Sequence, residues 1–211
     1  MRSSHQPLSE LLRPRQLGDL TLPQPIADRL QKMIDTRNVM NMLFYGKPGL
    51  GKTSAARVII DAVARDDSIE INGAQLTSAS AVSQKVEPFV TSMSVFGGSK
   101  ICFIDEADAM ARSADATLRS LIEKAKGHCA FILTANYMHK LSEGLRSRFV
   151  PVCFDVSGTQ RSVVINRWQP RYEARLSELE VTYDRSRLEQ LIGIYFPDLR
   201  RIAELIEFEF C

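Results

Sequence analysis

Residues 46–53 read Gly-Lys-Pro-Gly-Leu-Gly-Lys-Thr, the spacing G-x-x-x-x-G-K-[ST], and they lie between segments of different periodicity. Met42–Tyr45 before them is a short unbroken apolar run; Thr53–Arg65 after them has helical spacing. A glycine-rich turn from strand to helix points backbone N–H groups inward. The helix start adds its positive dipole end, so such a turn is a cradle for phosphate oxygens. Lys52 is placed to reach β- and γ-phosphates, and the Thr53 hydroxyl to ligate magnesium. Gly46, Lys47, Pro48, Gly49, Leu50, Gly51, Lys52, Thr53 and Ser54 are therefore the candidate site for ATP with Mg2+.

A strand feeding a helix through such a turn calls for more units of the same kind. Ser68–Asn72, Ile101–Ile104, Ala130–Thr134 and Val150–Phe154 read as strands. Ser78–Met93, bent or broken at Pro88, and Ala114–Lys126 read as helices, as does Ile26–Ile34 behind Pro23 and Pro25. Alternation of this kind predicts an α/β fold, a five-stranded parallel sheet flanked by helices. Near-continuous apolar strands fit a sheet buried on both faces. After Phe154 the pattern changes: Arg161–Leu179, Arg185–Ile194 and Asp198–Phe208 show helical spacing only. The expected organisation is an α/β nucleotide-binding domain over 1–156, opened by an irregular leader over 1–19, and a small three-helix domain over 157–211. The boundary falls near Ser157–Gly158.

The formal net charge of +2 makes no case for a polyanion partner, so any basic surface must be local. Cys102, Cys129, Cys153 and Cys211 contain no C-x-x-C pair; three lie in strand-like runs and read as buried thiols of a reducing compartment. The first twelve residues lack an apolar h-region, and no apolar run approaches a membrane span. A cytoplasmic protein with no membrane partner is expected.

The third strand delivers Asp105-Glu106-Ala107-Asp108 at its C-terminal end, where open α/β sheets place their sites. Asp105 is suited to hold magnesium through water and Glu106 to polarise an attacking water; Asp108 reads equally as a helix-start acid. Asn136, ending the fourth strand, is either turn chemistry or a group that orients water. Arg146 and Arg148 flank Ser147 just before the fifth strand, a charge aimed at an anion. Arg200 opens the last helix, poorly matched to the helix dipole.

Taken together these residues resemble the AAA+ ATPases of the clamp-loader group: replication factor C small subunits, the bacterial gamma and delta-prime subunits, and the T-even phage clamp-loader ATPase. The marks are the Asp105–Asp108 sequence, Ser147-Arg148, Phe196-Pro197-Asp198-Leu199-Arg200, Leu118-Arg119-Ser120 with Glu123, and Leu11-Leu12-Arg13-Pro14. The phage branch is most similar at Leu20-Thr21-Leu22-Pro23 and Phe196–Arg201. The likeness spans residues 9–208.

The resemblance implies further roles. Asn136 becomes sensor 1 and Arg200 sensor 2, with the helical domain as a lid. Arg148 becomes an arginine finger acting on ATP in a neighbouring subunit, with Arg146 the alternative. Arg13, Pro14, Leu20 and Leu22 would line the adenine pocket. Leu12 replaces the family's tyrosine, so an aromatic contact near the base is lost, and Phe149 replaces the cysteine of Ser-Arg-Cys. The family's helical collar would begin beyond the lid, where Cys211 stands; the alternatives are a fragment or assembly through the ATPase domains alone.

The function implied is ATP-driven opening and loading of a sliding clamp onto primer–template DNA during replication. Partners would be other clamp-loader subunits, in a homo- or hetero-oligomer such as a pentamer, the clamp, and DNA gripped through its phosphates. Ser83, Lys85, Arg112 and Ser113 are candidate phosphate contacts. The location would be a bacterial cytoplasm or a phage-infected cell. The alternatives are another AAA+ replication ATPase (helicase loader, initiator or branch-migration motor) and a non-hydrolysing structural subunit. Completion of the site in trans implies that a monomer binds ATP and hydrolyses it poorly.

Overall fold

The computed structural model describes residues 7–20, 22–94, 98, 100–156, 158 and 161–211. Five strands form one sheet: β1 (Met42–Tyr45), β2 (Ser68–Asn72), β3 (Lys100–Asp105), β4 (Cys129–Ala135) and β5 (Val150–Cys153). They lie in the order β2-β3-β4-β1-β5, every pairing parallel. The expected parallel α/β sheet is therefore present. The period of two sorts its side chains onto two faces. Leu43, Cys102, Ile104, Phe131 and Leu133 join one buried cluster; Met42, Phe44, Ile101, Phe103 and Ile132 join the other. With both faces covered, the sequence has no reason to alternate, which is why the strands read as unbroken apolar runs.

Helices α2 (Gln24–Thr36) and α3 (Lys52–Val63) cover one face. Ala55, Ala56, Ile59, Ile60 and Val63 of α3 are spaced to face the sheet, and all are buried there. Helices α4 (Ala79–Lys85), α5 (Glu87–Thr91) and α6 (Arg112–Lys124) cover the other face. The expected single helix over 78–93 is thus two. The break comes at Val86, with Pro88 in the first turn of α5, where its missing N–H costs nothing. A short helix, α7 (Glu143–Arg146), is capped by Ser142, whose hydroxyl accepts from the Leu145 N–H at 3.1 Å, and leads into β5.

Three helices follow the sheet: α8 (Arg161–Glu178), α9 (Arg185–Tyr195) and α10 (Leu199–Phe210). Val164, Trp168, Tyr172 and Leu176 of α8 meet Leu188, Leu191 and Ile192 of α9 and Ile202, Ala203 and Ile206 of α10 in a separate core. The expected boundary residue Ser157 lies outside the described residues.

From residue 7 onward the leader is not irregular as the sequence suggested. Leu8–Leu11 form a short helix, α1, and residues 17–19 a 3-10 turn. Leu8 and Leu12 are buried in the core of α8–α10, whereas Leu17, Leu20 and Leu22 pack on the sheet-side cluster with Phe44 and Ala55. This segment straps the helical unit to the sheet unit. Its order comes from partners remote in sequence, such as Glu207, whose carboxylate accepts the Leu8 N–H at 2.9 Å. Of the cysteines, Cys102 and Cys129 are buried, Cys153 is half-buried and Cys211 is exposed, all as thiols. Among the described residues, no helix is long and apolar enough to cross a membrane.

A candidate nucleotide site at the strand ends

The loop after β1 and the C-terminal end of β3 meet at one edge of the sheet, separated by β4. There Thr53 Oγ1 donates to Asp105 at 2.9 Å to Oδ1 and 3.2 Å to Oδ2. The register of the sheet makes this possible: β3 pairs with β4, and β4 with β1, so both functional ends come level. Thr134 on β4 completes the join. Its hydroxyl donates to Asp105 Oδ1, and its Oγ1 accepts the Glu106 N–H at 2.9 Å. Thr134 is buried and was not singled out from the sequence; a lone hydroxyl in an apolar strand next to an Asn was the available signal.

Glu106 carries φ = 55°, a left-handed backbone unusual for a residue with a side chain. The strand end is held in this state by close packing: a Cβ at Gly73 would come within 2.4 Å of the Glu106 carbonyl oxygen. The exposed Glu106 carboxylate reaches Asn72 Nδ2 at 3.4 Å. Asp108 does not point into the same place; its Oδ2 accepts the Tyr137 N–H at 3.0 Å, which anchors the loop after Asn136.

Lys52 is buried, and its Nζ donates to the carbonyls of Gly46 and Lys47, both at 2.7 Å. Burial is the main influence on its pKa and pulls it down, opposed by Asp155, Asp108 and Asp105, with Arg200 lowering it further. Asp155, one position past Phe154, accepts the Lys47 N–H at 2.7 Å. The loop is thus tied to the segment after β5, a contact that motif reading does not reach.

A cleft of about 390 Å³ opens over this loop. Thr53, Ser54, Asp105, Glu106 and Asn136 line its sheet side; Arg200 comes from α10 and Arg13 with Pro14 from the leader. Candidate residues from the sheet, from α10 and from the leader are therefore brought to one cavity. Leu20 and Leu22, expected at the adenine pocket, are placed differently: they pack into the sheet-side core and do not line the cleft. Apolar side chains following an amphipathic turn find more cover against α3 than at a solvent-facing cleft. Thr21 lies outside the described residues. Trp168 and Tyr172 of α8 line the same cleft as Arg13 and Pro14, aromatic surface that sequence reading did not place there.

Arg148 is turned away from this cleft. Its Nε lies 2.9 Å from Glu123 Oε1, an ion pair without the alignment of a hydrogen bond, and its Nη1 donates to the Gly144 carbonyl. Glu123 also pairs with Lys126 at 2.6 Å, and that hydrogen bond, then Arg148, holds its carboxyl below the usual range. Ser83 and Lys85 on α4 and Arg112 and Ser113 at the start of α6 are exposed on adjacent helices.

A family model described as ATPase family associated with various cellular activities (AAA) matches residues 42–154, more than half of the chain. The chain belongs to the AAA family. The matched span runs from β1 to the residue after β5 and contains every sheet-side group of the cleft. Among curated AAA relatives, the replication factor C small subunit of Saccharolobus solfataricus is 30% identical over 206 residues, covering 94% of this chain and 60% of the relative. Replication factor C subunit 5 of Mus musculus is 29% identical over 212 residues, covering 98% of this chain and 61% of the relative. The chain spans about three-fifths of the length of these two proteins. Among solved structures, the Thermotoga maritima RuvB Holliday junction branch migration motor superposes with a TM-score of 0.67 at 21% identity, covering 92% of this chain and 63% of that one. At that identity the likeness speaks to the AAA fold alone.

Proposed function

We propose that this AAA chain is an ATP-hydrolysing clamp-loader subunit whose site is completed by a neighbouring subunit. The observation that carries the reading is the division of groups. Lys52, Thr53, Asp105, Glu106, Asn136 and Arg200 converge on one cleft, whereas Arg148 lies outside it, held by Glu123 of α6 and the Gly144 carbonyl. The likeness to replication factor C subunits supports the choice of task.

In this reading Lys52 leaves the loop carbonyls for the β- and γ-phosphates, and Asn136 and Arg200 contact the γ-phosphate. Glu106, its backbone held by Thr134 and Gly73, orients the attacking water. Thr53 Oγ1 and the Asp105 carboxylate are hard oxygen donors 2.9 Å apart, a set that fits Mg2+. The ion, when bound, would neutralise charge on the phosphate oxygens. Residues 157–211 act as the lid. Arg148 reaches ATP of the next subunit, in a homo- or hetero-oligomer such as a pentamer, and Ser83, Lys85, Arg112 and Ser113 face DNA phosphates. The T-even phage likeness rests on residues 20–23 and 196–201 and guides only which clamp to assay first.

The test is the rate of ATP hydrolysis with and without a sliding clamp and primer–template DNA. Stimulation by both together is expected. No stimulation by either removes the clamp-loading assignment, and stimulation by a helicase or branched DNA instead moves the chain to another replication task.

A further inference from the structure

Trp168 is the chain's only tryptophan. It lies in the first half of α8, 5% exposed, and it lines the nucleotide cleft. Its Nε1–H is buried without a hydrogen-bond partner among the described residues. A buried donor left unmade is destabilising, so in folded proteins such groups generally have a partner. Tyr172, one turn along α8, shows the contrast: it lines the same cleft, but its hydroxyl is spent on the Leu199 carbonyl at 3.0 Å.

The surroundings of the indole occupy one of its faces. The Arg171 guanidinium sits over the ring, 4.7 Å from its centroid. Tyr172 packs at 6.0 Å between centroids. One face is thus covered by a cation, and the ring is wedged by its neighbour. Stacking of a base on that covered face is blocked, and Nε1 is left as the polar atom of the ring that lacks a partner among the described residues.

Along the cleft, the phosphate end is set by Lys52 and Thr53, and Arg13, Pro14, Trp168 and Tyr172 lie at the part formed by leader and lid. We propose that Trp168 is a base-recognition residue, its Nε1–H donating to a ring nitrogen of a bound nucleotide's base. An indole donates only, so it selects an acceptor. Adenine, guanine and cytosine all offer a ring-nitrogen acceptor, so the contact reads the presence of such a base rather than its identity. This rests on the reading of the cleft as a nucleotide site.

The lone tryptophan is its own probe. Titrating the protein with ATP, ADP and inorganic tripolyphosphate, following tryptophan emission and, separately, heat of binding, gives distinct outcomes. The proposal expects ATP and ADP to change the emission and tripolyphosphate to bind while leaving it unchanged. It also expects Trp168→Phe, which keeps a ring but loses the donor, to weaken ATP and ADP about fivefold, the size of one net hydrogen bond, and tripolyphosphate not at all. If ATP binds by calorimetry with no change in emission, or if tripolyphosphate shifts the emission as ATP does, the base contact is overturned and the signal belongs to the lid as a whole. If neither ATP nor tripolyphosphate binds, the nucleotide site itself fails. Should Trp168→Phe not fold, the titration of the parent still decides.

Discussion

The Asp198 carboxylate lies against Gly49: a Cβ added at Gly49 would stand 2.1 Å from Asp198 Oδ1 and 2.8 Å from its Cα. Asp198 caps α10, accepting the Arg201 N–H at 3.0 Å, so the helix that carries Arg200 starts on the phosphate-binding loop itself. Lid and loop are in contact through two residues that have no room to spare. Any movement of α10 against the sheet must be felt at Gly49.

Gly49→Ala therefore meets two obstacles, the backbone at φ = 78° and the Asp198 main chain. Gly127→Ala is the control, because φ there is 89° and no atom lies within 4 Å of the added Cβ. The control should lose about 1 kcal/mol. Gly49→Ala should lose more, and its ATP affinity should drop by about tenfold or more, equivalent to at least ~1.4 kcal/mol. Chemical denaturation and ATP titration of both variants check this; equal losses would show that the lid contact is dispensable.

Lys52 supplies a pH dependence. Its folded pKa without nucleotide is depressed, chiefly by burial. Bound phosphates favour the charged amine, so the pKa rises on binding. ATP affinity should then be steady near neutrality and fall as pH climbs, with the fall beginning below the ordinary lysine value of about 10.4. Calorimetry across the alkaline range, with proton uptake read from buffers of different ionisation enthalpy, measures it. An affinity that is flat until that value contradicts the assignment.

The thiols test the fold. Burial pushes Cys129 up to about 11 and Cys102 well above its ordinary value. A thiolate-specific reagent at mildly alkaline pH should titrate exposed Cys211 quickly and Cys153 slowly. Cys102 and Cys129 should react only after denaturation. Rapid loss of all four thiols in the native protein would contradict a closed sheet.

Much of this was legible because it is local. Gly46–Thr53 and Asp105–Glu106 announce themselves by spacing and by the strand ends that carry them. The strands from Met42 to Cys153 were legible because burial on both faces leaves only apolar residues. What escaped depends on partners far along the chain. Leu8 and Leu12 form structure only because α8–α10 receive them. Leu20 and Leu22 were expected at the base, but the sheet-side core offers them more cover. Thr134, Asp155, Asp198 and Trp168 reach the site from β4, from the segment after β5 and from the lid.

The ion pair of Arg148 with Glu123 gives a coupling prediction. If Glu123 aims the finger, Glu123→Ala should lower the hydrolysis rate of the assembled protein several-fold with ATP affinity unchanged, and adding it to Arg148→Ala should cost nothing further. Arg148→Ala alone should cost on the order of a thousandfold, as removal of an arginine finger does. Steady-state kinetics of the three variants form the cycle; additive losses would separate Glu123 from Arg148, and an unchanged rate in Arg148→Ala would turn attention to Arg146.

The central claim, a site completed in trans, is tested most directly by mixing two inactive variants. Arg148→Ala keeps its own cleft and lacks the finger; Glu106→Gln keeps the finger and lacks the group that orients water. The ATP hydrolysis rate of an equimolar mixture, measured over a range of protein concentration, should rise well above the sum of the two alone and increase with concentration. A rate equal to that sum at every concentration would contradict completion of the site by a second copy.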